Sequence, residues 1–542
     1  MRNLKRALSL ALASVMVLGL MVVGSGASYA DVTSEENQEA IEVLQAVGVM
    51  VGDDEGNFNP DKNVTRNEMA VVMSNLLDLK VEDFNAADIP FTDVPSWAVA
   101  YVAACYADGI TSGTSATTYG GSNTVTAAQA ALMMMKALGY FQYQGDFEQD
   151  WTLATIKKGS EIGIFDGITV DRTSPLTRND VAQMALNALK LNMVTFTGEV
   201  GIEIPTAGGQ SIVVGYKAEY TARTSANSKY NAIDVGTTDI AENNQYYVQL
   251  GEELYNGDLR LQNGSADVFG RPSRTWSLDG EEIGTYVNES LMIAEFNTAV
   301  SGDEMYDVLT RNTVAKYDMD IALDGDYEDS DAFTKNAINR RNDADLDGTG
   351  RGVLTQVFVD NDDDIVTVTM INTWLAIADE DYNEKKDQVK VTVYGIDTNG
   401  DVDTTKYDGF TLDGEDFAIE DIVEGDALLV TVADDEVQTI AAAEAIAETE
   451  IAEFGTDGNY PDYVEVDGTK YDFAKTSSYD SDVLDVYTGS GKENLKDTIY
   501  TVYLDAYGNA IGVKEIEGKD NYLFITGIDL NGSNRKNQNA DA

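Results

Sequence analysis

The chain reads as an α+β multidomain protein, with an all-α N-terminal region followed by several mostly β modules, and three observations predict this. Capped segments with helical periodicity fill residues 36–190. Short β-rich runs separated by Asp-Gly and Asn-Gly pairs take over after Lys190, the turn chemistry of hairpins. Finally, 542 residues at 43% hydrophobic content are too many for one core and too apolar for wholesale disorder.

The first thirty residues stand apart from the fold. Arg2, Lys5 and Arg6 form a basic start, residues 7–23 an apolar run, and Ser28-Tyr29-Ala30 a small-residue cleavage site, which together predict a secretory leader ending at Ala30 and a mature chain from Asp31. The formal charge of −58, from 36 basic and 94 acidic residues, would become −61 on losing the three leader cations. Such a chain repels nucleic acid and anionic membrane surfaces, so neither is an expected partner. The single Cys105 lies in an alanine-rich helical stretch and is expected to be a buried small hydrophobe.

Within residues 36–190 one unit occurs three times. Gly48 and Gly52, Gly109 and Gly113, and Gly163 and Gly167 are pairs with a common spacing of four. Each is followed by a loop and a helix start: Thr65 with Glu68, Thr126 with Gln129, Thr177 with Asp180. The first two are capping boxes in sequence, and the third keeps the same acidic logic. Downstream, Met69, Val72, Met73, Leu76 and Leu77 line one helix face, matched by Met133, Met134, Ala137 and Leu138, then by Val181, Met184, Ala185 and Leu189. The loop from second glycine to cap is thirteen residues in the first two copies and ten in the third. Twelve residues before the first glycine stand Trp97 and Trp151 in copies two and three, and Glu36 in copy one. Units of about fifty residues cannot bury both apolar faces alone and gain a core from their neighbours.

The motifs Phe91-Thr-Asp-Val-Pro-Ser-Trp97, Gly109-Ile-Thr-Ser-Gly113, Phe58-Asn-Pro60 and Thr65-Arg-Asn-Glu68 resemble the surface-layer homology (SLH) repeat of bacterial cell-envelope proteins. The resemblance implies a pseudo-threefold bundle (a pseudo-trimer of repeats) whose grooves hold a pyruvylated secondary cell-wall polysaccharide non-covalently. It assigns wall-polysaccharide contacts to Arg66, Trp97, Gly109, Trp151 and Arg178. The chemistry is consistent: a guanidinium meets a ketal pyruvate carboxylate with paired hydrogen bonds, sugar faces stack on Trp, and the helix N-termini would favour an anion. The second copy has Ala127 where the cap arginine belongs, and the first lacks the Trp, so the three grooves are expected to be inequivalent.

Beyond Lys190, hairpin turns are expected at Asp279-Gly280, Asp324-Gly325, Asn399-Gly400, Asp408-Gly409, Asp413-Gly414 and Asp467-Gly468, with strands at 389–394, 427–432, 463–466, 499–504 and 522–525. Residues 324–347 read as a loop or module junction, and 440–454 as an alanine- and glutamate-rich helix or linker. Residues 267–286, with Phe269-Gly-Arg-Pro272, Trp276 and Gly284-Thr-Tyr286, resemble a segment of surface-layer proteins of Gram-positive anaerobes. The expected organisation is a leader at 1–30, repeats at 31–80, 88–140 and 147–194, a β-rich region at 195–375, and β-rich modules at 376–450 and 451–542, the last with a polar tail.

Without histidine, Ser-His-Asp, Cys-His and His-based zinc chemistry are excluded, and no catalytic residue is assigned. Asp343, Asp345 and Asp347, with Gly348, have the first half of a calcium loop, but Leu354 stands at the twelfth position where a bidentate Glu belongs. Calcium is thus a weak candidate ligand and no cofactor is required. The leading expectation is a secreted structural protein of a Gram-positive-type cell wall, tethered by SLH repeats and self-associating in a surface array. The alternatives are an SLH-anchored adhesin and a wall-anchored polysaccharide hydrolase.

Overall fold

The computed structural model describes residues 29, 31–32, 37–53, 56–148, 150–205, 211–235, 240–327, 333, 336–394, 410–414, 416–457, 460–479 and 499–516. The expected leader apart from Tyr29, Glu36, the turns at Asn399-Gly400 and Asp408-Gly409, the strand at 522–525 and the polar tail lie outside the described residues. The described residues form two compact units, one of residues 29–293 with 357–368, the other of residues 294–356 with 369–516.

The first unit begins with six helices: α1 (Gln38–Ala46), α2 (Arg66–Leu76), α3 (Val99–Ala107), α4 (Ala127–Leu138), α5 (Trp151–Ile162) and α6 (Arg178–Lys190). Thr65, Thr126 and Thr177 cap α2, α4 and α6, each accepting from the third helical amide while the side chain of Glu68, Gln129 or Asp180 accepts in return. The faces they start are buried as their spacing requires: Met69, Met73 and Leu76 on α2, Met134 and Leu138 on α4, and Val181, Met184 and Leu189 on α6 are at most 1% exposed. Each such side chain stabilises the fold by about 1.5–3 kcal/mol relative to exposure. The pairing is cyclic. Helix α3 packs on α2, α5 on α4, and α1 on α6, so the first helix of each repeat lies on the second helix of the repeat before it, and one core runs through all three.

Glycine is required where an aromatic ring closes each of the first two loops. A Cβ on Gly113 would fall 2.4 Å from Phe91 Cε1 and 2.6 Å from the Thr118 carbonyl oxygen, and one on Gly52 would fall 2.3 Å from Tyr29 Cε1. Tyr29, which falls within the expected leader, therefore occupies in the first repeat the place of Phe91 in the second, a place it fills only in a chain that keeps it. Its ring lies 5.5 Å from Phe58, and Phe91 lies 5.5 Å from Tyr119. Cys105 is buried as expected, its Sγ 3.3 Å from Ser74 Oγ and donating to the Ala70 carbonyl.

The same core continues into a three-stranded antiparallel sheet, β1 (Leu259–Ala266), β2 (Pro272–Leu278) and β3 (Glu281–Val287), with β2 in the middle. Asp279 and Gly280, at φ 54° and 84°, make the predicted turn between β2 and β3, and Trp276 and Tyr286 face the helical core.

In the second unit a helix, α7 (Gly302–Lys316), is opened by a Ser301/Glu304 capping box. The β-rich reading passed over it, although Ser301-Gly-Asp-Glu304 is the same signal that marks α2. Asp324-Gly325 turns between Asp318–Leu323 and Asp326–Tyr327. A five-stranded antiparallel sheet follows, with order β6-β5-β4-β7-β8: β4 (Trp374–Ala378), β5 (Gln388–Tyr394), β6 (Phe410–Asp413), β7 (Ala427–Ala433) and β8 (Glu436–Ala442). The last sheet has order β9-β13-β14-β12-β11-β10, from β9 (Glu444–Thr449), β10 (Ile451–Asp457), β11 (Tyr460–Val466), β12 (Thr469–Tyr479), β13 (Ile499–Leu504) and β14 (Ala510–Ile516), with β12 and β14 parallel.

The helix or linker expected at 440–454 is instead strand throughout most of its length. Ile440 pairs with Val430, Ile446 with Val502 and Ile451 with Val466. Alanine and glutamate favour a helix in isolation, but three waiting strand edges supply ladders that outweigh a propensity of tenths of a kcal/mol per residue.

Candidate functional site

The three loops that precede α2, α4 and α6 meet at the centre of the helical ring. Val64 N donates to the Leu176 carbonyl at 2.9 Å, Leu176 N to the Val125 carbonyl at 3.0 Å, and Val125 N to the Val64 carbonyl at 2.9 Å. These three side chains are at most 2% exposed. The hydrogen bonds form a closed cycle, with one corresponding segment from each repeat.

Around this cycle each helix start is tied to the loop of the following repeat. Arg66 N and Asn67 N donate to the carbonyls of Asn123 and Gly121, Ala127 N and Ala128 N to those of Ser174 and Arg172, and Arg178 N and Asn179 N to those of Lys62 and Pro60. The first three amides of each helix are thus engaged, two by a neighbouring loop and one by the cap threonine. None of these first-turn amides is left open, so what the helix N-termini retain for an anion is their dipole. What the seams leave open is side chains.

The cap arginines supply those side chains. Arg66 donates through Nε to the Tyr119 carbonyl at 3.3 Å and through Nη2 to the Ser112 carbonyl at 3.0 Å, with its guanidinium 4.9 Å from the Tyr119 ring centre. Arg178 repeats the arrangement one repeat further round: Nε to the Phe58 carbonyl at 2.7 Å, Nη2 to the Val51 carbonyl at 2.9 Å, and 4.5 Å to the Phe58 ring. Ser112 and Val51 are the residues just before Gly113 and Gly52, so the two sites are superposable in sequence. In both, Nη1 makes no hydrogen bond among the described residues. Arg66 is the more enclosed, at 9% exposure.

Carboxylates shape the aromatic side of each seam. Asp31 accepts from Phe58 N at 2.7 Å and Asn59 N at 2.6 Å. Asp93 accepts from Tyr119 N at 2.7 Å and Gly120 N at 2.8 Å, and the Tyr119 amide holds its carboxyl below the ordinary range. Neither residue was singled out from sequence, although Asp31 and Asp93 each stand two residues after the aromatic, Tyr29 or Phe91, that closes the loop.

The tryptophans stand on the surface. Trp97, two residues ahead of α3, is 55% exposed, and Trp151, the first residue of α5, is 41% exposed. Both rings are open to solvent, and among the described residues no ring contact or hydrogen bond joins them to Arg66 or Arg178. Gly109 has φ +75° and ends α3, and its carbonyl accepts from Lys136 Nζ at 2.8 Å. Structure therefore joins Arg66 to the loop that holds Gly109, through Ser112, and leaves the tryptophans on the outer rim.

The first repeat, which lacks the Trp, has the β1–β3 sheet against α1. Arg274 and Trp276 both bind the Glu39 carboxylate, through Arg274 Nε and Trp276 Nε1 at 2.9 and 2.6 Å and through a further bond from Arg274 Nη2. Tyr286 donates its hydroxyl to Glu42. Burial pushes the Glu39 carboxyl up, but Arg274, Lys190 and these hydrogen bonds outweigh it, and the net shift is downward. Glu42 lacks a cation, so burial dominates and its carboxyl is raised. The motif-rich segment 267–286 is in this way part of the helical unit. Its own loop is fixed by a buried Arg271–Asp267 pair at 2.6 Å.

Asp343, Asp345 and Asp347 lie exposed around the buried Leu346. Among the described residues no three carboxylates converge as a metal site, and none of the described helices is long and apolar enough to cross a membrane.

Comparison with known proteins finds a family match within this helical region. The S-layer homology domain matches residues 28–70 and 90–131, the first two repeats. The third lies outside the match, but its cap, its helix and its share of the central cycle duplicate theirs. The chain is 30% identical over 190 residues to the Surface-layer 125 kDa protein of Lysinibacillus sphaericus, covering 32% of this chain and 16% of that protein. It is 24% identical over 341 residues to the Cell surface protein of Thermoanaerobacter kivui, covering 58% and 42%. A match of 33% over 108 residues reaches an Endoglucanase of Bacillus sp. (strain KSM-635), covering 18% and 12%. The chain thus spans less than half the length of each of these relatives. Three capped repeats closed into one ring, together with the domain match on two of them, make this chain an SLH-domain protein.

Proposed function

We propose that the helical ring tethers the chain to an anionic polysaccharide of the bacterial cell wall, the pyruvylated secondary wall polymer, and that the β-sheet unit contributes to a self-associating surface array. The observation that carries the tether is the repeated guanidinium seam. Arg66 and Arg178 are held in one geometry by two backbone carbonyls and an aromatic face, and each keeps Nη1 for a ligand. A guanidinium fixed in this way has already lost its rotamer freedom, so binding a carboxylate costs less entropy. Trp97 and Trp151 add exposed apolar faces for sugar rings. The names of the surface-layer relatives support the array, and no reaction is assigned to the chain.

Co-sedimentation with cell-wall sacculi tests the tether. The full chain is expected to pellet with sacculi that retain their secondary polysaccharide and to stay in solution with sacculi stripped of it. Equal pelleting with both would refute the reading. Incubation of the purified chain at rising concentration, followed by electron microscopy, tests the array, and persistence of monodisperse particles at every concentration would refute it.

A further inference from the structure

The second repeat lacks a cap arginine, because α4 begins at Ala127, which is fully buried. The seam it forms with the third loop would therefore have no guanidinium if the cap position were the only source. Yet a third arginine stands there. Arg172 belongs to the loop, and its own carbonyl accepts from Ala128 N at 2.8 Å, so its backbone is seated on the first turn of α4. It occupies the ring position held by Pro60 and Gly121 in the other two loops, whose carbonyls accept from Asn179 N and Asn67 N.

The Arg172 side chain reproduces the other seams by different means. Its guanidinium lies 4.5 Å from the Phe165 ring centre, against 4.9 and 4.5 Å for Arg66 on Tyr119 and Arg178 on Phe58. Two backbone carbonyls again hold it, those of Ile168 and Val170, each 3.0 Å from Nη1. Because one nitrogen takes both carbonyls, Nε and Nη2 make no hydrogen bond among the described residues. That edge is the one whose two parallel N–H bonds match a carboxylate. The shorter third loop explains the change of partner: at the position of Phe58 and Tyr119 it carries Val170, which offers no ring face, and Phe165 supplies one from the preceding Gly163–Gly167 turn.

We infer that Arg172 is the anion-binding arginine of the second repeat's seam, so that all three seams of the ring carry one stacked, carbonyl-held guanidinium for a carboxylate-bearing glycan. The assignment rests on the tether proposed above and adds a residue outside the repeat's cap motif. The ring is then electrostatically threefold although its sequence is not.

The test measures affinity of the full chain for a wall polysaccharide carrying ketal pyruvate and for the same polymer after mild acid has removed the ketal. Arg172→Ala should weaken binding to the pyruvylated polymer about tenfold, equivalent to ~1.4 kcal/mol, and leave binding to the ketal-free polymer unchanged, which a merely structural role would not do. Adding Ala127→Arg to Arg172→Ala should restore part of the loss from the cap side. If circular dichroism shows that Arg172→Ala does not fold, Arg172→Lys serves, since it keeps the charge without the planar fork, and an intermediate loss is expected. Unchanged affinity of a folded Arg172→Ala, or of Arg172→Lys in its place, while Arg66→Ala and Arg178→Ala are weakened, overturns the inference and leaves the tether standing. Equal affinity of the unaltered chain for the two polymers overturns the tether itself.

Discussion

Replacing Glu39 by alanine should uncouple the β1–β3 sheet from the helical ring. Glu39 accepts from Arg274 Nε at 2.9 Å and from Trp276 Nε1 at 2.6 Å, and its carboxyl is held below the ordinary range despite burial. Removing one partner of a fully buried ion pair costs ~3–5 kcal/mol because the other charge is left uncompensated. Here the Arg274 and Glu39 side chains keep 24% and 13% of their exposure, so water recovers part of that loss for Arg274. The Trp276 N–H has no such relief, because Trp276 is fully buried, and an unsatisfied donor costs ~1–3 kcal/mol. The two losses share one carboxylate and do not add, so we expect ~3 kcal/mol overall. Urea unfolding of the full chain, followed by the helical circular dichroism signal, reads this as a shift of the ring's transition. Glu39→Gln should lose less, because the amide still offers an acceptor to Trp276. A loss below ~1 kcal/mol in Glu39→Ala would mean that the pair is screened as a surface pair is, and the docking argument would fail.

Three other outcomes follow from single features. Burial, only partly offset by the hydrogen bonds from Asn372, pushes the Asp324 carboxyl up to about 6. A raised carboxyl favours the folded state when protonated, so its contribution should decline as pH rises from about 4 to 7, by at most ~3 kcal/mol. Asp324→Asn should flatten that limb of the stability profile of the second unit, and an unchanged profile would contradict it. Gly113→Ala forces a Cβ to 2.4 Å from Phe91 and 2.6 Å from the Thr118 carbonyl and should destabilise the ring by ~1–3 kcal/mol, whereas a melting temperature equal to the parent's would show that the loop is slack. The Cys105 thiol, pushed up to about 11 by burial, should resist maleimide in the native chain and react on unfolding; rapid native labelling would contradict its enclosure.

What could be read from the chain was local. The caps at Thr65, Thr126 and Thr177 are four-residue patterns, and Asp279-Gly280, Asp324-Gly325 and Asp467-Gly468 are two-residue ones, and all adopt the expected conformations. Arg66 and Arg178 were legible as a matched pair, but not the carbonyls that clamp them, which belong to residues 46 to 127 positions away. Arg172 was hidden for a sharper reason: it supplies from the loop what the pattern places on the helix, so alignment by motif records only a loss at Ala127. Contacts such as Glu39 to Arg274, 235 residues apart, leave no periodic trace. The strands at 440–454 were misread because their local composition favours a helix, whereas the ladder partners Val430, Val502 and Val466 lie outside the segment.

The central claim, that stacked guanidiniums on a closed ring hold an anionic wall glycan, is tested most directly by calorimetric titration of the full chain with a short pyruvylated wall-polymer fragment. The unaltered chain should give saturable binding, and the Arg66→Ala/Arg178→Ala double variant, if its melting curve shows an intact ring, should bind at least tenfold more weakly. The same binding curve in a folded double variant would contradict the claim.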